Sequence, residues 1–329
     1  MKLLAPVSRL DEIEAIIEAG ADELYCGVLP ADWQQRYPAI SISRRQAQAA
    51  HFKNFEELKS AIQIAHNLDT KIYFTFNAHY FILEQYELIK RYLKKLAKLN
   101  IDAIFISDLA LLLYAQKYYP QLQYHISTGG NTLNSESAKF FQSLGAKRVI
   151  LERHLTLEEI EAIVKHTTIE TEVFIFGSKC PNIDGLCTFH HGFLTIENNT
   201  RKFGNACMMP FEITTDSPKR GSKDSKSSFK LISSQKRQHI WTHTHIDDRP
   251  CGICALYDLK KIGITSVKIV GRANPGWKKV KDTTFLNNLL KFLDKKPNRE
   301  KFIQVARISY YLTYERPCRY SMCYFPEVM

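Results

Sequence analysis

Short runs of continuous apolar residues recur along this chain with an amphipathic segment between them, and that alternation restricts the fold more than any other feature. The apolar runs are Lys2–Pro6, Asp22–Gly27, Lys71–Asn77, Ala103–Asp108, Tyr124–Thr128, Arg148–Glu152, Val173–Gly177 and Ser266–Arg272. Between and after them, helical spacing covers Arg9–Ala19 (closed by Gly20), Phe55–His66, Phe81–Leu99, Ser137–Leu144, Leu157–Val164, Cys254–Ile262 and Asp282–Leu293. A strand apolar on both faces must be covered on both, which in alternation with helices means a parallel sheet. Eight such strands predict a TIM-like (β/α)8 barrel. An open doubly wound sheet is the alternative, but no Gly-x-Gly-x-x-Gly turn supports it.

In such a barrel, function gathers on the loops after the strand C-termini. Polar groups end several strands here: Asn77 and His79 the third, Ser107 and Asp108 the fourth, His125 and Ser127 the fifth, Glu152 and Arg153 the sixth. With Lys268 and Arg272 of the last strand, Asn77, Asp108, His125 and Glu152 form the candidate catalytic set. Each of these also has a structural reading, because strand-end polar groups satisfy neighbouring loops.

Five of the eight cysteines, Cys180, Cys187, Cys207, Cys251 and Cys254, crowd into one stretch directly after the seventh strand. Thiolates suit soft metals. Only Cys251-Gly-Ile-Cys254 has the tight hook that paired zinc sites use twice. The other gaps are long and uneven, which favours an iron–sulfur cluster over zinc. Cys26 reads as core packing, whereas Cys318 and Cys323 could reach the site from the tail. Thr195–Arg201 reads as a hairpin turning at Asn198–Asn199, and the Lys-rich stretch from Lys219 to Arg237 as an exposed loop. The expected organisation is a first barrel part over 1–179, a cysteine-rich insertion over 180–254, the last barrel unit with a closing helix over 255–295, and a tail over 296–329.

A formal charge of +11 suits a polyanionic partner such as RNA. No apolar stretch is long enough to span a bilayer, and the N-terminus lacks an export signal, so a reduced cytoplasmic setting is expected.

The ordered motifs Leu3-Leu-Ala-Pro, Ala19-Gly-Ala-Asp-Glu-Leu-Tyr-Cys-Gly, Asn54-Phe-Glu-Glu-Leu, Ser127-Thr with Asn134-Ser, Gly185-Leu-Cys and Val267-Lys-Ile-Val-Gly-Arg resemble the U32, or collagenase-like, peptidase family from residue 2 to about Arg272. That resemblance implies a barrel and, in several branches, four cysteines around a 4Fe-4S cluster. Cys180, Cys187 and Cys207 match the first three ligands. Counting back from Lys268–Arg272 favours Cys251 as the fourth, with Cys254 as an extra thiol that could substitute. Branches of the family carry out oxygen-independent hydroxylation of ubiquinone precursors or of a base in transfer or ribosomal RNA. Val270 departs from the family's usual Lys-Ile-Glu-Gly-Arg, and the short tail leaves little room for the extra domain of longer RNA-modifying relatives.

Three functions compete. The first is an iron–sulfur enzyme hydroxylating an aromatic small molecule or an RNA base. The second is a hydrolase, which the sequence serves poorly: it holds no His-Glu-x-x-His and no Gly-x-Ser-x-Gly, and its dense histidines, His190-His191 and His239, His243, His245, read as loop or half-exposed strand. The third is a non-catalytic iron–sulfur subunit paired with another protein.

Overall fold

Leu4 pairs in parallel with Lys268 on one side and Glu23 on the other, so the first strand joins the last and the sheet closes. In this computed structural model the barrel strands are β1 (Lys2–Pro6), β2 (Glu23–Cys26), β3 (Lys71–Phe76), β4 (Ala103–Ile106), β5 (Tyr124–Ile126), β6 (Arg148–Ile150), β7 (Glu170–Phe176) and, after an intervening hairpin, β10 (Ser266–Ile269). All eight are parallel, and the predicted (β/α)8 barrel is the fold observed. The structure describes every residue except 39, 178–179, 181, 190, 198–199, 206–249 and 320–322, and only the backbone of 191–197 and 200–205.

The hairpin, β8 (His191–Glu197) and β9 (Thr200–Asn205), lies in sequence between the seventh and eighth barrel strands, with Glu197 opposite Thr200 as the Asn-Asn turn predicted. Cys207, the 219–237 loop and the three clustered histidines lie outside the described residues.

The helices are α1 (Ile13–Glu18), α2 (Ala31–Arg36), α3 (Phe55–Asn67), α4 (Tyr86–Lys98), α5 (Leu109–Tyr118), α6 (Ser135–Ser143), α7 (Leu157–Lys165), α8 (Leu256–Ile262), α9 (Gly276–Asp294) and α10 (Arg299–Tyr314). Asn54, Asn134, Thr156 and Asn298 each cap a helix by accepting from the amide three residues on, which satisfies a donor that the first turn leaves open.

Several helices depart from expectation: α2 was not expected, and α9 begins at Gly276 rather than Asp282. The helix expected from Phe81 starts at Tyr86, because the Phe81 amide is drawn to the Asp108 carboxylate and the next residues form a 3-10 turn. The segment taken as a tail contains α10, whose Phe302, Ala306, Tyr310 and Tyr314 recur every fourth residue and are buried. Tyr310 and Tyr314 pack on Phe176 and on Phe285 of α9, which covers the end of β7 with a second helical layer. No helix among the described residues is long and apolar enough to cross a membrane.

The barrel interior is charged. Arg148 donates to both oxygens of Glu23 at 2.6 and 2.9 Å and to Glu172 at 3.1 Å. Lys268 Nζ meets the other oxygen of Glu172 at 3.1 Å and lies 3.9 Å from the centre of the Phe105 ring and 4.3 Å from that of Tyr25. Burial alone would lift the Glu23 carboxyl, but the Arg148 guanidinium outweighs it and holds it at about 2. Each of these buried charges has its opposite, as an ionic core requires.

Candidate active site at the barrel mouth

The rim is assembled from loops that follow six different strands. Asn77, after β3, donates through Nδ2 to Ser127 Oγ after β5 at 2.8 Å. The next residue, Thr128, donates through Oγ1 to Asp184 Oδ2 at 2.7 Å. Asp184 sits in the 3-10 turn Asp184–Leu186, between Cys180 and Cys187. Arg44 reaches its other oxygen at 3.2 Å, and Arg153, after β6, is bonded to Oδ2. The turn rests against the 128–130 loop so closely that a Cβ on Gly185 would fall 2.3 Å from Asn131 Oδ1. Only glycine fits there.

Charge is unevenly shared on this rim. Burial would lift the Asp184 carboxyl, yet Arg153 and Arg44 hold it well below the usual carboxylate range. Glu152 is not balanced in this way. Its Oε1 accepts the Asp184 amide at 3.4 Å, and burial, reinforced by the Asp184 charge, pushes it up to about 7. Its Oε2 is buried without a hydrogen-bond partner among the described residues, as are Asn77 Oδ1, Asn131 Oδ1 and Asn182 Nδ2. Buried polar atoms left open on one rim are the signature of a polar ligand site.

A second arc is cationic. Arg272, after β10, donates to Thr75 Oγ1 at 2.6 Å and to Ser43 Oγ at 3.1 Å, and a Cβ on Gly27 would fall 2.2 Å from its Nη1. Neither Arg272 nor Arg45 has a carboxylate within ion-pair distance among the described residues. Burial brings Arg272 down to about 10, and burial together with Arg272 brings His51 down to about 3. The Arg45 charge is close enough to act on Arg272, and two such guanidinium groups together are complementary to an anion.

Three predicted site residues are placed elsewhere. Asp108 caps α5: Oδ1 accepts the Leu111 amide at 2.5 Å and Oδ2 the Phe81 amide at 3.2 Å, which occupies both oxygens. His125 lies two residues before Ser127 on β5, about 6–7 Å deeper at the rise of a strand, with its ring 4.8 Å from that of Tyr73 and 5.4 Å from that of Phe105. Burial and the Arg148 charge keep it neutral. Lys268 belongs to the ionic core. Asn77, Glu152 and Arg272 are the predicted residues that the fold brings to the mouth.

The described thiols form two groups. Cys180 and Cys187 flank the Asp184 turn. Cys251 is joined to the barrel by a backbone bridge to Phe176, four residues before Cys180, and Gly252 donates to Ile175 O at 2.7 Å. A parallel bridge then joins Cys251 to Cys323, so the chain end packs on the cysteine hook. The Cys318 thiol is hydrogen-bonded with that of Cys251, which draws it down to about 6, and Cys254 is held by Arg307 of α10. Among the described residues no three ligating side chains are already gathered on one point. As a donor set, Cys180, Cys187 and Cys251 are chemically suited to an iron–sulfur cluster, all free and attached to adjacent backbone. Cys26 is buried against Tyr73 O, a core position as expected.

The model of peptidase family U32 matches residues 8–325. The chain belongs to family U32. It is 31% identical over 222 residues to the tRNA hydroxylation protein P of Helicobacter pylori, a match covering 67% of this chain and 50% of that protein. It is 26% identical over 291 residues to the 23S rRNA 5-hydroxycytidine C2501 synthase of Escherichia coli, covering 88% of this chain and 38% of the relative. The chain thus spans about half the length, or less, of these curated relatives. The uncharacterized protease MJ0090 of Methanocaldococcus jannaschii is 31% identical over 196 residues, covering 57% of this chain and 43% of that protein.

For this U32 chain, sequence reasoning missed Arg44, Arg45, Ser43, Thr75 and Asp184 as rim residues. Asp184 had a signal, since it lies inside the Cys180–Cys187 motif. The paired arginines had none, because they sit in an irregular stretch between α2 and α3 where Arg44 adopts a left-handed backbone with φ 57°.

Proposed function

We propose that this U32 chain takes part in oxygen-independent hydroxylation of an RNA base, with a 4Fe-4S cluster held by Cys180, Cys187, Cys207 and Cys251. The observation that carries the reading is the placing of two guanidinium groups without carboxylate partners among the described residues, Arg45 and Arg272, near the Asp184 turn and its flanking thiols. The named activities of the relatives support the same chemistry. A bound cluster would supply electron transfer and an iron site for an oxygen-donating co-substrate.

The protein's own groups would then divide the work. Arg45 and Arg272 hold anionic oxygens of substrate. Asn77 Oδ1 accepts from an N–H of the target base. Glu152, poised near neutrality, takes or returns the proton displaced at the carbon that gains oxygen, a role suited to a carboxyl with a raised pKa. Arg153 and Arg44 fix Asp184 and with it the cysteine turn.

Anaerobic purification with iron and sulfide counts, absorbance and electron-paramagnetic spectra tests the cluster. Cys251→Ser should lose iron, whereas Cys254→Ser should keep it, because Cys254 is turned to Arg307. Mass spectrometry of RNA from cells lacking the protein should show the loss of one oxygen atom at one nucleoside. Iron-free anaerobic protein would end the cluster reading, and an unchanged nucleoside profile would end the RNA reading. A peptidase assay should show no turnover.

A further inference from the structure

Beside the mouth lies a cavity of about 720 Å³, lined among others by Ser8, Glu12, Gln48, His51, Lys53 and Trp277. It adjoins the arc of Arg272: Ser8 Oγ donates to Arg272 O at 3.0 Å. His51 stands in that wall, with its Nδ1 and Arg272 Nη1 both close to Gly27.

Four features of the cavity are unexplained by stability. Trp277, in the first turn of α9, is 65% exposed and stacks on no ring among the described residues. Glu12 is buried, and its Oε1 accepts from the Ser8 amide at 2.7 Å and Lys279 Nζ at 2.6 Å, yet its Oε2 has no hydrogen-bond partner among the described residues. A buried carboxylate oxygen left open forgoes a strong charge-assisted bond, so a donor from outside is expected. Gly276 lies directly over this oxygen, since a Cβ there would stand 3.2 Å from Oε2. Finally, the ammonium of exposed Lys53 on the rim has no carboxylate within ion-pair distance among the described residues.

We infer that this cavity is a second base-binding pocket, taking a nucleotide with an exocyclic amino group that neighbours the target base; this rests on the RNA reading above. The base stacks on the Trp277 indole, its amino group donates to Glu12 Oε2, and a flanking phosphate meets Lys53. An unpaired acceptor selects cytosine, adenine or guanine over uracil, whose carbonyls flank its single imide N–H and would face the carboxylate. His51 supplies a further acceptor in the shared wall: its Nε2 lies 2.8 Å from Arg45 O, which places the ring proton there and leaves Nδ1 as a lone pair.

The test uses the full chain. Tryptophan fluorescence is titrated with CMP, AMP, GMP and UMP, and single-stranded RNA binding is followed by anisotropy. Wild-type protein should show saturable quenching, weakest with UMP, and Trp277→Ala should abolish it while weakening RNA binding about 5- to 150-fold, the range of one aromatic–base stack. Gly276→Ala, which places a methyl against Oε2 and not against Oε1, the oxygen that Lys279 holds, should level the four nucleotides. RNA binding that responds to Arg45→Gln but not to Trp277→Ala overturns the pocket and leaves the RNA reading standing. Quenching at Trp277 without any RNA binding keeps the pocket as a mononucleotide site and ends the RNA reading. Absence of saturable quenching by every nucleotide also overturns it.

Discussion

Glu152 accepts the backbone amide of Asp184 at 3.4 Å, which sets a carboxyl raised to about 7 beside a carboxylate held low by two arginines. An unfolded glutamate titrates near 4.3, so between about 4.3 and 7 the folded chain keeps a proton that the unfolded chain has released. Stability therefore falls as pH rises through that window, by at most about 1.4 kcal/mol for each pH unit crossed. Denaturant midpoints at pH 5 and pH 8 should converge in Glu152→Gln, with the variant matching wild type at pH 5 and exceeding it at pH 8. Identical pH slopes in both proteins would refute the assignment.

Arg148 neutralises Glu23 and Glu172 at once, and both are buried in the barrel. Arg148→Met leaves two carboxylates facing each other without that cation and should cost about 3–5 kcal/mol by urea denaturation. Lys268→Met should cost less, since Glu172 keeps Arg148. Equal losses would mean that the two cations are not ranked as the geometry has them.

Asp108 offers both oxygens to backbone amides. Asp108→Ala should lower stability by about 0.5–2 kcal/mol, the value of an N-cap. Asp108→Asn should restore the cap on Leu111 but not the bond to the Phe81 amide, because asparagine keeps a single acceptor oxygen, and should leave the proposed hydroxylation unchanged. A hydroxylation rate that collapses in a stable Asn variant would return Asp108 to the catalytic set.

Arg45 has no carboxylate partner among the described residues, so its charge is available to a phosphate. RNA affinity should fall steeply with salt, and Arg45→Gln should reduce the log–log slope by about 1 while weakening all sequences alike. A slope that does not change would place the phosphate contacts elsewhere.

The barrel was legible because continuous apolar runs such as Ala103–Ile106 and Val173–Phe176 can be buried only between two layers, and burial is a property of the residues themselves. Helix starts were legible where a cap such as Asn54 or Thr156 stands in the chain. Helix α4 was misplaced at its start because the competing partner, Asp108, is distant in sequence and near only after folding.

What the sequence alone determined is thus the strand count, the parallel closure, the position of the cysteines after the seventh strand and three of the mouth residues. Tertiary structure decided depth and pairing. His125 and Ser127 share a strand face, and only the stagger of neighbouring strands puts one in the aromatic core and the other on the rim. Arg45 and Arg272 are more than two hundred residues apart in the chain, and the closure of β1 onto β10 is what brings their charges within reach of each other, with no carboxylate at ion-pair distance from either among the described residues.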